Sequence, residues 1–123
     1  MAIDGVMLRD SSTTALGNLA TNQFYAYNIV GNKSGNLSVT VGQAIFGVLQ
    51  NAPYAGQAAD ICFDGVTKAQ AGGSLSAGNQ TQVGSTGQFI LYTSGGGNVA
   101  VGVAMEAAVA NQTFTMRVVP SGG

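Results

Sequence analysis

A chain of 123 residues is long enough for one domain, but only 7% of these residues are charged, against about 25% in soluble domains generally, so little repulsion holds copies apart. The net charge of -1 includes four scattered basic residues, Arg9, Lys33, Lys68 and Arg117, which cannot make the run of phosphate contacts that nucleic-acid binding draws on; DNA and RNA are not expected partners. With no histidine, Ser-His-Asp and Cys-His catalysis and the commonest metal ligand are excluded.

Taken in chain order, the N-terminus places Asp4 where a secretory signal would carry positive charge, and no apolar stretch of signal length follows, so no signal peptide is expected. Residues 1–14 carry Ile3, Val6, Met7 and Leu8 among polar neighbours without a clean period. They read equally as an N-terminal arm that docks on a partner and as an ordinary edge strand, and these four side chains are the candidate interface residues. Residues 15–119 read as a single β domain and residues 120–123 as a flexible tail. Residues 16–22 could hold a turn or two of helix, weakened by Gly17. Residues 24–30 are apolar on both faces, as in a strand buried on each side. Leu37, Val39 and Val41 alternate with Ser38 and Thr40, which predicts a half-buried strand over 37–41. Residues 44–49 are similar to 24–30. Ala59, Ile61 and Phe63 then alternate with Ala58, Asp60 and Cys62, and Asp64-Gly65 predicts a two-residue hairpin turn into a further strand over 66–70.

Residues 89–92 form another apolar run. Residues 99–110 fall short of the roughly 20 apolar residues of a membrane span and contain Glu106, so a soluble chain with no membrane partner is expected. Within them, 105–110 is the second possible helix. Phe114, Met116 and Val118 alternate with Thr113, Thr115 and Arg117 in a last strand. The nineteen glycines separate short apolar runs throughout. The fold class is therefore all-β: a compact β-barrel or two-sheet β-sandwich of about eight or nine short strands, with at most one or two short helices. Residues 47–57 can be laid over 102–112 with matches at Gly, Val, two Ala and Gln, a hint of two related β units.

Candidate chemistry is sparse. Cys62, flanked by Ile61 and Phe63 with no base nearby, reads as an inert thiol packed in the sheet. Asp60 and Asp64 would lie roughly 13 Å apart along a strand, beyond the spacing of a catalytic carboxyl pair. Gly72-Gly73 and Gly95-Gly96-Gly97 lack the following Lys-Ser/Thr pair of a phosphate loop and read as hairpin tips. No cofactor, no metal and no enzymatic activity are expected. Tyr25, Tyr27, Tyr54 and Tyr92 would be the stacking platforms of a carbohydrate-binding module, a reading that the absence of Trp disfavours.

The succession Ile45-Phe46-Gly47-Val48, Ala55-Gly56-Gln57, Gly65-Val66-Thr67-Lys68-Ala69, Ser76-Ala77-Gly78, Gly84-Ser85-Thr86-Gly87-Gln88, Val101-Gly102-Val103-Ala104-Met105-Glu106-Ala107-Ala108 and Thr115-Met116-Arg117-Val118-Val119 resembles the small capsid cement, or head decoration, proteins of tailed phages. The resemblance spans about residues 40 to 119 and implies an accessory protein on the outer capsid surface of the virion. It would bind the major capsid protein and assemble with itself, as a trimer in preference to a dimer, to clamp neighbouring capsid subunits. A tail, fibre or other appendage subunit is the competing structural reading.

Overall fold

The computed structural model describes residues 7–119; Ile3, Val6 and the tail at 120–123 lie outside them. Nine strands form one mixed sheet: β1 (Met7–Ala15), β2 (Ala26–Gly31), β3 (Ser34–Leu37), β4 (Gly47–Leu49), β5 (Ala58–Gln70), β6 (Gln80–Val83), β7 (Phe89–Leu91), β8 (Gly102–Ala104) and β9 (Thr113–Val118). No helix occurs among the described residues, and 16–22 and 105–110 form bends and turns. Short strands cut by Gly, Asn and Ser favour this all-β outcome, because no segment sustains a helical apolar stripe.

The sheet closes into two five-stranded rings that share β5. In the first, β1 pairs in parallel with β3, which pairs with β2; β2 then pairs with β4, β4 with the first half of β5, and that half of β5 with β1. In the second, the last part of β5 pairs with β9, β9 with β8, β8 with β6, and β6 with β7. The ring closes through a parallel bridge from Phe89 to Ala71.

The rings correspond in register over most of their ladders, though the β1–β5 and β2–β3 ladders carry shifts that β5–β9 and β6–β7 lack. Val48 and Leu49 face Cys62 and Ile61, as Val103 and Ala104 face Arg117 and Met116. Tyr27 faces Leu37 as Thr81 faces Leu91, and Thr13 faces Ala59 as Ala69 faces Phe114. The turns repeat too. Gln57 Oε1 accepts from the Tyr54 N–H, and Gln112 Oε1 accepts from the Val109 N–H. Asn51 Oδ1 accepts from the Asp60 N–H where β4 has ended, and Glu106 Oε2 accepts from the Thr115 N–H where β8 has ended. Among the described residues three non-glycine residues have left-handed backbones, Phe24, Lys33 and Asn111, and a left-handed glycine stands at the matching place in the other ring: Gly78, Gly87 and Gly56. The faint echo in the sequence is thus a duplication of the whole unit.

Each ring has its own interior. The first holds Leu19, Tyr27, Leu49, Ala59 and Ile61; the second includes Leu75, Val83, Phe89, Phe114 and Met116. Bulk is exchanged between matching positions: Tyr27 and Gly35 in one ring stand where Thr81 and Phe89 stand in the other, and Ala59 where Phe114 does. The second cluster also takes in Ala26, Ile45, Val48 and Cys62 from the first unit, so one apolar layer joins the rings. Bonds from Ala26 N to Gly87 O, from Gly42 N to Val83 O and from Gln70 N to Phe24 O cross the same junction.

Two expectations are corrected. Residues 37–41 are not a strand: β3 ends at Leu37, and Val39 and Val41 are exposed beside a turn that Gly42 completes with a φ of 74°. The buried residue is Ser38, whose hydroxyl donates to Gln43 Oε1, so a polar contact overrides the apolar alternation. Asp64-Gly65 is not a hairpin turn either, since β5 runs straight through it. Gly65, with a φ of 114°, is where β5 passes from one ring to the next, paired with both Met7 and Val118.

Candidate functional site

No group of three or more potential metal-ligating side chains comes together among the described residues. Cys62 is fully buried, burial pushes its thiol pKa up, and Sγ lies 3.5 Å from the Asp64 carbonyl oxygen. A thiol disfavoured as thiolate and closed to solvent is not a nucleophile. Asp60 is held by the guanidinium of Arg9, a partly exposed surface pair. No described helix is long and apolar enough to cross a membrane.

The tyrosines do not form a stacking platform. Tyr27 is buried in the first ring with its hydroxyl 3.0 Å from Thr13 Oγ1, and burial raises its pKa. Tyr25 and Tyr92 are half-buried, which leaves Tyr54, 60% exposed at its turn, as the well-exposed ring. A groove of about 330 Å³ between the units is lined by neutral groups, among them Gln23, Phe24, Tyr25 and Gln70. The Gln23 and Gln70 amides already donate to the carbonyls of Gln50 and Asn111.

What remains is contact surface. Of the four interface candidates, Ile3 and Val6 lie outside the described residues. Met7 begins β1 opposite Gly65, and Leu8, opposite Asp64, is 51% exposed. Bulges on either side of Arg9 and Asp10 disturb the β1 ladder, and Ser12 bonds to Asp10 hold that carboxyl below the usual aspartate range.

A second surface was not foreseen in the sequence. At one end of the first ring Phe46 and Phe63 stack with centroids 6.2 Å apart and planes at 23°, both half-buried; Ile29, two residues along β2 from the Tyr27–Gly47 pair, is 40% exposed. The matching residues of the second ring, Val101, Val118 and Val83, are buried in the layer that joins the units. Alternation along 59–63 shows which face Phe63 occupies but not whether that face is covered.

The described chain is thus a scaffold of two closed β rings with few charged groups, in which no buried side-chain polar atom among the described residues lacks a hydrogen-bond partner. It belongs to the phage cement protein family, which it matches over residues 10–120 and hence across both rings; these are structural, non-enzymatic components of the phage head. No curated protein matches it. Among solved structures it is similar to the N base of the head fibre protein gp8.5 of bacteriophage phi29, with a TM-score of 0.67 and 17% identity, covering 92% of this chain and 94% of that one. At that identity the likeness speaks for the fold.

Proposed function

We propose that this protein decorates the outer surface of an icosahedral phage head and stabilises it by bridging neighbouring major capsid subunits, acting as a homo-oligomer with three copies favoured over two. The observation that carries the reading is the family match across both rings. The low charge supports it physically: neutral polar faces form hydrogen-bonded contacts without the desolvation cost of ions, and multivalent attachment multiplies modest contacts. The N-terminal segment bearing Ile3, Val6, Met7 and Leu8 makes the capsid contact in this reading, supported by the exposure of Leu8 at the start of β1.

The test is cosedimentation with heads stripped of decoration. Full-length protein should bind and raise the temperature at which heads rupture. Because β1 from Met7 helps close the first ring, the truncation that tests the segment stops at residue 6. That truncation combined with Leu8→Ser should lose head binding while remaining folded; unchanged binding would reject the N-terminal contact, and failure of the full-length protein to bind would reject decoration altogether. The likeness to a head fibre base favours a second reading, the base of an appendage on the head. An electron-microscopy map of the particle separates the two by copy number and by density projecting beyond the shell.

A further inference from the structure

The two units of the chain are joined by a junction that has a defined polarity. The outward face of the first unit, with Ala26, Val48 and Cys62, lies in the same buried cluster as Val83, Val101 and Val118 at one end of the second ring. Register assigns each half of this junction a counterpart on the other unit. The counterparts of Ala26, Val48 and Cys62 on the second unit are Gln80, Val103 and Arg117, of which Gln80 and Arg117 are exposed and Val103 half-buried. The counterparts of Val83, Val101 and Val118 on the first unit are Ile29, Phe46 and Phe63, the partly uncovered end with the stacked rings. The first unit therefore carries the socket and the second unit the plug of a contact that the protein already makes within itself.

We propose that a second copy of this chain occupies the Ile29, Phe46 and Phe63 end, presenting its own Gln80, Val103 and Arg117 face, so that copies join head to tail through a repeat of the internal junction. The proposal rests on the self-assembly in the reading above and specifies its surface. Chemistry favours the fit. Where the internal junction seats Cys62, the junction between copies would seat the guanidinium of Arg117, and a paired aromatic surface is a favourable seat for that cation. Apolar Ile29 and Val103 would be covered together. A contact between two different faces is heterologous: it closes into a ring when the rotation between copies permits, and three copies is one such closure.

The experiment uses the full chain and two variants at exposed positions, Ile29→Asp at the socket and Arg117→Glu at the plug, with folding checked by circular dichroism and thermal melting. In sedimentation, the wild type should be a concentration-dependent oligomer, and each variant alone should weaken association about tenfold or more, the scale of a central interface change. Mixed together, the two variants should form a heterodimer and nothing larger, because one intact socket and one intact plug remain. A wild type that is monomeric at all concentrations, variants that associate like the wild type, or a mixture that forms no heterodimer would each overturn the proposal. Truncation of residues 1–6 should leave the oligomer intact; its loss would assign the socket to the chain's own N-terminus. If Ile29→Asp abolishes head binding without changing self-association, the socket belongs to the capsid instead. An oligomer disrupted by these variants that never binds heads would sustain the junction and refute the decoration reading, so the two fail separately.

Discussion

Gly35→Ala places one methyl group in the first ring and tests how that ring is filled. A Cβ built on Gly35 would lie 2.4 Å from Cζ and 2.5 Å from the hydroxyl oxygen of Tyr27, and 2.5 Å from the backbone oxygen of Asn28. Tyr27 is fully buried and its hydroxyl is bonded to the buried Thr13, so the ring cannot swing into solvent. Overpacking of this kind costs about 1–3 kcal/mol, and loss of the Thr13 bond adds about 1 kcal/mol. Reduced freedom of the unfolded chain returns about 0.5–1 kcal/mol, leaving a net loss of about 2 kcal/mol. Tyr27→Ala alone should cost about 3–5 kcal/mol through the cavity it opens. The double variant should be more stable than the sum of the two by about 1 kcal/mol, because the contact with the Tyr27 ring is gone while the one with the Asn28 backbone oxygen remains in both backgrounds. Urea denaturation followed by circular dichroism measures all three. Additivity within about 0.5 kcal/mol would refute the claim that Gly35 is small to admit the Tyr27 ring.

Stability should be flat from about pH 5 to about pH 8.5, since no histidine titrates between. Bonds from Ser12 and Thr115 hold the Asp10 and Glu106 carboxyls below their usual values, so their contribution is complete above those values and is lost as pH falls through the lowered ones. Burial raises Cys62 and Tyr27, whose neutral forms favour the fold until pH rises past their ordinary values; a step in the urea midpoint near neutrality would contradict this. Lys33→Gly should stabilise by about 0.5–1 kcal/mol in the same assay, since its φ of 50° strains a side-chain-bearing residue where the other ring has Gly87. Asn51→Ala should cost about 1–2 kcal/mol in thermal melts, because Asn51 both accepts from the Asp60 N–H and donates to the Ala58 carbonyl. Cys62 should resist a water-soluble thiol reagent in the native protein and react at once in denaturant, read by absorbance.

Strand type was legible wherever one face is buried and the other wet. Phe114, Met116 and Val118 are buried in β9 while Thr113 and Arg117 are exposed, as alternation requires. Alternation failed at Val39 and Val41, where Ser38 is held by hydrogen bonds that apolar pattern does not encode. The Asp64-Gly65 signal correctly marked an unusual backbone and wrongly implied a reversal, because a strand shared by two rings needs a left-handed residue for a different purpose. The duplication was only hinted at, for a physical reason. What repeats is ladder register and turn bonding, which tolerate changes of side chain: Asn51 and Glu106 both supply an oxygen to the next N–H, and Phe24, Lys33 and Asn111 keep left-handed turns that their counterparts form with glycine. Large and small interior residues change places between the rings, as with Tyr27 and Gly35 against Thr81 and Phe89, so matching single positions conceals the repeat. The Phe46 and Phe63 surface was missed because exposure of a ring end depends on what stacks on it.

Ring closure also explains how so uncharged a protein can be selective in its contacts. With few ions to repel copies, open strand edges would be templates for indiscriminate pairing. Here β2, β3, β4, β6, β8 and β9 each have a neighbouring strand on both sides, so those edges are consumed within the molecule. The partner-binding capacity that a low charge allows is thereby moved from backbone edges, which accept any strand, to ring ends, where side chains decide what fits. The two ring ends are not equal. The second unit's is covered by the first unit, and the first unit's is left with aromatic side chains half-buried. A duplicated unit with one end covered from within is intrinsically directional, and that directionality lets a small neutral protein add to an ordered array in one orientation instead of aggregating in many.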